Sequence, residues 1–206
     1  MDLINQYFTD LTSKQKNQFI ELEKLYSFWN EKINVISRKN GPNFYVNHVL
    51  HSLAISKVCS FKTNTEILDV GTGGGFPGIP LAILHPESKF KLIDSIGKKI
   101  LVTSSIVKSL DLHNVQTEKI RAEEEQGKYD FIVSRAVTQM PKFISWVRKN
   151  VKKSSINEIQ NGILYLKGGD LIEELKSIKN QIIEYEISNY FNESFFQTKK
   201  VVYVRL

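Results

Sequence analysis

Cysteine is almost missing from this sequence: Cys59 stands alone among 206 residues. A single thiol excludes an internal disulfide, suits a reducing compartment and supplies no partners for a zinc site. Histidine is also sparse, with four residues. His48 and His51 share one helical stretch, but no Cys, Asp or further His cluster stands at ligand spacing, so a metal site is not expected. No apolar run approaches the length of a membrane span, and Met1-Asp2-Leu3-Ile4-Asn5-Gln6 lacks the basic and apolar regions of an export signal. A cytoplasmic, soluble protein is expected, with no membrane partner. Internal repeats and low-complexity tracts are absent too. Charge is not balanced: 28 Lys and Arg against 22 Asp and Glu leave a formal +6. That excess suits a polyanionic partner and ordinary solubility equally well.

One stretch organises the rest. Ile67-Leu68-Asp69-Val70 reads as a buried strand interrupted by one acid. Gly71, Gly73, Gly74 and Gly75 follow, a density that neither a helix nor a strand interior accepts. From Ile79 onward, Leu81, Ala82 and Ile83 resume a helical apolar pattern. A strand, a glycine turn and a helix start form a cradle that a nucleoside can approach without meeting a Cβ. Gly73-x-Gly75-x-x-Gly78 matches the dinucleotide fingerprint formally, but three features oppose that reading. The glycine register begins at Gly71, Asp69 is a poor neighbour for phosphate and a good one for a cation, and Pro77 and Pro80 remove backbone donors. S-adenosylmethionine, with a nucleoside, an amino-acid end and a sulfonium, fits better. Downstream, Lys89-Phe90-Lys91-Leu92-Ile93-Asp94 forms a second strand ending in an acid suited to ribose hydroxyls. Asp94 can also cap the helix that starts near Gly97.

Residues 1–60 are expected to form a helical extension packed on a domain spanning 61–206. Thr12-Ser13-Lys14-Gln15 has the form of a capping box. Phe19, Leu22, Leu25, Tyr26, Phe28, Trp29 and Ile33 then recur at helical spacing. A polar junction, Asn30 to Lys39, and a Gly41-Pro42 break precede a second amphipathic helix from Phe44 to Val58. Beyond residue 65, strands are predicted at 65–70, 89–93, 114–118, 129–134 and 162–167. Helices are predicted at 77–84, 97–110, 138–150 and 170–180. The alternation implies an α/β fold with a parallel sheet covered on both faces. The alternating segments Glu184–Ser188 and Lys199–Arg205 have no helix between them and should pair antiparallel. This ending resembles the class I S-adenosylmethionine-dependent methyltransferase fold, Rossmann-like with a reversed last strand, rather than the all-parallel dinucleotide fold.

In such a sheet ligands lie beyond the carboxyl ends of the strands. Ala122-Glu123 would then lie beside the adenine, and Ser134-Arg135-Ala136 would face the transferred methyl. The acidic or Asn residue, two prolines and aromatic of base-amine methylators are missing there, and Cys59 lies too early to serve as a ring-carbon nucleophile. A ring nitrogen such as guanine N7 carries a free lone pair and needs positioning and desolvation, not a general base. Arg135 could hold the methionine carboxylate, a backbone phosphate or the purine O6 edge. Lys167 ends the fifth strand; it could contact phosphate, or deprotonate a ribose 2′-hydroxyl if desolvated. No residue is assigned as a catalytic base. Lys98-Lys99, Arg38-Lys39, Arg148-Lys149 and Lys152-Lys153 are expected to ring the cleft with positive charge.

The chain resembles the RsmG (GidB) family of bacterial guanine-N7 methyltransferases acting on 16S ribosomal RNA. The resemblance rests on Trp29-Asn30-x-x-Ile33-Asn34, His48 with Ser52-Leu53, and Asp69-Val70-Gly71-Thr72-Gly73. Phe76-Pro77-Gly78-Ile79-Pro80-Leu81, the most family-specific segment, continues it. Leu92-Ile93-Asp94-Ser95, Gly97-Lys98-Lys99, Ser134-Arg135-Ala136 and Leu166-Lys167-Gly168 complete it. It implies cofactor contacts at Gly71, Phe76, Asp94, Ser95, Ala122, Glu123 and Arg135, to which the glycine turn adds Gly73, with the small ribosomal subunit as partner; a monomer is expected because no exposed coiled-coil seam argues for a dimer. Recognition would use splayed bases and phosphates. Departures are Gly74 for a common proline, Asn47 and His51 for an arginine and an aspartate, and an expanded stretch from Lys152 to Asn161.

Overall fold

The central strands are near-continuous apolar runs, and the period of two along a strand sends successive residues to opposite layers. The computed structural model describes residues 1–33 and 43–206. The Asn34–Lys39 part of the polar junction, with its Arg38-Lys39 pair, and the Gly41-Pro42 break lie outside the described residues. Among the described residues seven strands form one sheet: β1 (Glu66–Val70), β2 (Lys89–Asp94), β3 (Val115–Lys119), β4 (Phe131–Arg135), β5 (Gly162–Gly168), β6 (Ile182–Glu186) and β7 (Lys199–Arg205). Their spatial order is β3-β2-β1-β4-β5-β7-β6. The first five are parallel, and β7 runs antiparallel between β5 and β6. The predicted reversal at the end of the chain is present.

Ile67, Phe90, Leu92, Phe131, Val133, Leu164, Leu166, Val201 and Tyr203 face one layer. Leu68, Val70, Ile93, Ile132, Ile163, Tyr165, Val202 and Val204 face the other. The first layer holds α2 (Ser13–Lys32), α3 (His51–Val58), α4 (Gly78–Leu84) and α5 (Gly97–Ser109), preceded by a short α1 (Asp2–Tyr7). The second holds α6 (Met140–Val147) and α7 (Ile172–Leu175). Helix α2 begins at the predicted capping box: Thr12 Oγ1 accepts from Gln15 N at 3.2 Å, and Gln15 Oε1 accepts from Thr12 N at 2.9 Å. Its buried face, Phe19, Leu22 and Tyr26, joins the same apolar cluster as Ile67 and Phe131.

Three elements differ from the sequence expectation. The helix expected from Phe44 is π-helical over Tyr45–Leu50 before α3 begins at His51. The helix expected at 138–150 ends at Val147 and tightens into a 3₁₀ turn, Arg148–Asn150. The one expected at 170–180 is a single turn. Ile178 N bonds back to Leu175 O, and Asn180 Nδ2 holds Arg205 O, which draws the chain early into β6. Residues 120–130 carry the chain from β3 to β4 without a helix, so one face of β2 and β3 is left uncovered. Charge replaces apolar packing there: Lys91 Nζ lies 2.8 Å from Glu118 and 2.7 Å from Glu125.

Candidate cofactor cleft

The turn after β1 owes its shape to Asp69. This side chain is fully buried. Its Oδ2 accepts from Thr72 Oγ1 at 2.6 Å and from Gly78 N at 2.8 Å, tying both ends of the turn to the strand. Burial outweighs these bonds and the nearby Arg135 charge and holds the carboxyl up at about 7. Asp69 therefore lies beneath the cradle and does not line it, contrary to the idea that it faces a ligand cation. Gly71 and Gly73 take φ of +67° and +59°. A Cβ on Gly73 would meet nothing nearer than Gly71 O at 3.9 Å, so it would project into open space.

That space is a cleft of about 680 Å³ beyond the carboxyl ends of β1, β2 and β4. All eight residues expected at the cofactor line it: Gly71, Gly73, Phe76, Asp94, Ser95, Ala122, Glu123 and Arg135. Asp94 Oδ1 accepts from Ile96 N at 2.8 Å and Oδ2 from Gly73 N at 3.0 Å, so it braces both turns while facing the cleft; the N-cap of α5 is Ile96, with no side-chain cap, and Asp94 is not the helix cap the sequence suggested. Lys99 of the predicted basic rim also lines it. Lys142 and Trp146 from α6, absent from the sequence expectation, complete that side.

Behind the cleft stand the N-terminal helices, none of whose described residues lines it. Tyr26 of α2 donates its hydroxyl to Gly74 O and stacks on Phe76 with ring centroids 4.8 Å apart. The Arg135 guanidinium lies 5.0 Å over the same Phe76 ring. It donates Nη1 to Asn47 O at 3.2 Å and Nη2 to His48 Nδ1 at 3.1 Å. Burial draws Arg135 down to about 10, so it stays charged. Burial and then that charge push His48 down to about 3, leaving a neutral imidazole that accepts from Arg135. Tyr26 and His48 thus carry the site from behind. In the sequence they are indistinguishable from packing residues of an amphipathic helix.

Lys167 is not on the cleft. Its Nζ pairs with Glu174 at 2.7 Å and donates to Thr138 O at 2.7 Å. Beside it the Tyr165 hydroxyl accepts from Val137 N and Thr138 N, each at 2.9 Å, and donates to Thr138 O at 3.0 Å. Together they fasten the loop after Arg135, where Ala136 takes φ of +54°. Arg148-Lys149 and Lys152-Lys153 do not ring the cleft either; they line a separate groove near the amino ends of β4 and β5.

The sheet order, the reversed β7 and a glycine turn beside an acid-tipped β2 define the class I methyltransferase fold. Solved structures agree. A SAM-dependent methyltransferase from Aquifex aeolicus superposes with a TM-score of 0.57 at 17% identity, over 75% of this chain and 89% of that one. An rRNA methylase from Streptococcus thermophilus superposes with a TM-score of 0.53 at 12% identity, over 78% and 98%. Within that class the chain belongs to the rRNA small subunit methyltransferase G family, whose model matches residues 15–202. Relatives named ribosomal RNA small subunit methyltransferase G are 57% identical in Flavobacterium psychrophilum, over 100% of this chain and 98% of the relative. In Bacteroides thetaiotaomicron the figure is 50%, over the whole of both chains.

The residues present fit S-adenosylmethionine. The Cβ-free approach at Gly73 admits a backbone-hugging ligand, and Asp94 stands where ribose hydroxyls need acceptors. No helix among the described residues is long and apolar enough to cross a membrane.

Proposed function

We propose that this chain transfers a methyl group from S-adenosylmethionine to N7 of a guanine in 16S ribosomal RNA of the small subunit, as a cytoplasmic monomer. Family membership supplies the substrate class. The observation that carries the choice of atom is that, among the described residues, no base stands at the Arg135 end of the cleft. His48 is a neutral acceptor engaged by Arg135, and Lys167, the base a ribose 2′-hydroxyl would need, is held by Glu174 and Thr138. Guanine N7 needs no proton removed.

When bound, S-adenosylmethionine supplies an electrophilic methyl on a positive sulfonium. The eight cleft residues hold its nucleoside and amino-acid ends. Arg135, held over the Phe76 ring and anchored to the N-terminal helices, orients either the methionine carboxylate or the purine O6. The fastened loop after Arg135 shields the reacting atoms from water. Transfer to the N7 lone pair would leave the S–C pair on sulfur and pass the positive charge to the purine, so no side chain here has to accept a proton. In this reading residues 1–60 brace the site from behind, through Tyr26 on Gly74 and Phe76 and through Asn47 and His48 on Arg135.

Purified protein and labelled cofactor are incubated with unmodified small subunits, and the product is mapped by borohydride–aniline cleavage. Cleavage at one guanine is expected. Label without cleavage would assign a different atom, and no label in any RNA would overturn the reading.

A further inference from the structure

Far from the cleft, a groove of about 660 Å³ is lined by Lys128, Arg148, Lys149, Val151, Lys152, Lys153, Ser154 and Leu206. No Asp or Glu side chain is part of that lining. Lys152 alone is neutralised, by Glu66 at 2.7 Å and Asp130 at 3.0 Å. The other cations bond to neutral acceptors: Lys128 to Lys149 O, Lys149 to Glu123 O, and Arg148 to Asn180 Oδ1. Among the described residues none of these, nor Lys153, makes an ion pair with a carboxylate. Part of the chain's +6 is therefore concentrated in one concave surface, an arrangement that repels itself unless an anion enters.

The position is as informative as the charge. Tyr129 and Val151, bridged to each other, precede β4 and β5, whereas Arg135 ends β4 at the cleft. At ~3.3 Å per residue the two ends are about 20 Å apart. They are not isolated, because α6 joins them. Lys142 and Trp146 line the cleft, Arg148 and Lys149 follow directly in the groove, and Lys149 bonds to Glu123 of the cleft. Charges spread along a track suit a polyanion backbone better than a compact anion, which would need them to converge.

We propose that the groove formed by Lys128, Arg148, Lys149, Lys152 and Lys153 binds the sugar–phosphate backbone of small-subunit ribosomal RNA, at a position remote from the target guanine. The inference rests on the function proposed above and adds a second contact, which makes RNA reaching across ~20 Å the preferred substrate.

The test compares wild type with Lys128→Gln/Arg148→Gln/Lys153→Gln, which spares the Lys149 bond to Glu123, and with Lys153→Gln alone. A control, Lys14→Gln/Lys24→Gln/Lys176→Gln, removes equal charge elsewhere. Filter binding to unmodified, protein-free 16S RNA is measured from 50 to 200 mM salt. With ~0.7–0.9 of slope per phosphate contact, the triple variant should lose about 2–3 units of salt slope, and Lys153→Gln about one. KM for RNA should rise about tenfold or more, with kcat and cofactor affinity unchanged. An unchanged slope, or an equal loss in the control, overturns the proposal. So does weaker binding to intact subunits with normal binding to protein-free RNA, which would identify an acidic protein as the occupant. If wild type binds RNA but leaves N7 unmethylated, the proposed function fails while the slope comparison still decides the groove.

Discussion

Gly73 and Gly78 sit five residues apart in one turn, yet substituting each with alanine should damage different properties. At Gly78 the backbone is not left-handed, but an added Cβ would lie 2.7 Å from Asp69 Oδ2 and 2.7 Å from Leu92 Cγ. Both neighbours are buried, so neither can swing into solvent. Overpacking costs about 1–3 kcal/mol, and disturbing the Gly78 N to Asp69 bond adds about 1.5–3 kcal/mol. A loss of ~3–5 kcal/mol is a large part of the ~5–15 kcal/mol that holds a domain folded. At Gly73 the strain of φ +59° costs an alanine ~1–2 kcal/mol, and its Cβ meets no protein atom closer than 3.9 Å. The methyl occupies the cleft instead, so S-adenosylmethionine should bind about tenfold or more weakly. Urea denaturation and calorimetric titration of both variants separate the effects. The reasoning is refuted if Gly73→Ala binds cofactor like wild type, or if Gly78→Ala unfolds at the wild-type midpoint.

Acid should destabilise the protein earlier than surface carboxylates require. Burial pushes His48 down to about 3, His85 to about 4 and His51 well below its usual range. Between pH ~4 and ~6.5 the unfolded chain binds protons at these sites that the folded chain does not, so stability rises with pH. Asp69, held up at about 7, acts in the opposite sense over the same window. Asp69→Asn should therefore steepen the dependence by ~1.4 kcal/mol per pH unit, read from urea midpoints at pH 5 and 6; a flatter curve would contradict the assignment. Lys167→Met should leave methyl transfer above roughly a tenth of wild type with the same pH profile, because the loss acts through the loop; abolition at every pH would restore Lys167 as a base. Tyr165→Phe removes the hydroxyl that serves Val137 N, Thr138 N and Thr138 O, and should cost ~2–4 kcal/mol by denaturation while lowering kcat more than cofactor affinity.

The central fold is legible because the residues that make it are extreme. Gly71 to Gly75 permit nothing but a turn, and the short β-branched and aromatic run Val201-Val202-Tyr203-Val204 favours a strand buried on both faces. The Asp94 tip is legible for the same reason: an acid ending an apolar strand has few uses. Side-chain direction around the site is harder to read, although part of the signal exists. Arg135 shares the parity of Val133 and faces the α3 layer, while Lys167 shares that of Tyr165 and faces the α6 layer. Strand parity alone therefore separates the two cations that strand-end position brings together. The π-helical turn has no such signal, since Tyr45–Leu50 carries an ordinary amphipathic pattern. Nor does spacing show that Tyr26 reaches Gly74, because a hydroxyl on an apolar stripe reads as packing. Arg148 to Lys153 is misplaced by sequence reasoning because α6 carries the chain from one end of the sheet to the other, and charge pairs do not record which end they reach.

The position of β7 bears on how the molecule is made. It comes after β6 in the sequence, yet it lies inside the sheet, with β5 on one side and β6 on the other. During synthesis β5 must wait with an unpaired edge, and β6 has no neighbour at all, until residues 199–205 have left the ribosome. A stop codon only a few positions before Lys199 would not trim an end; it would remove an interior plank and detach the one beyond it. Val201 and Tyr203 also belong to the cluster that seats α2, so residues made early remain without these neighbours until β7 arrives.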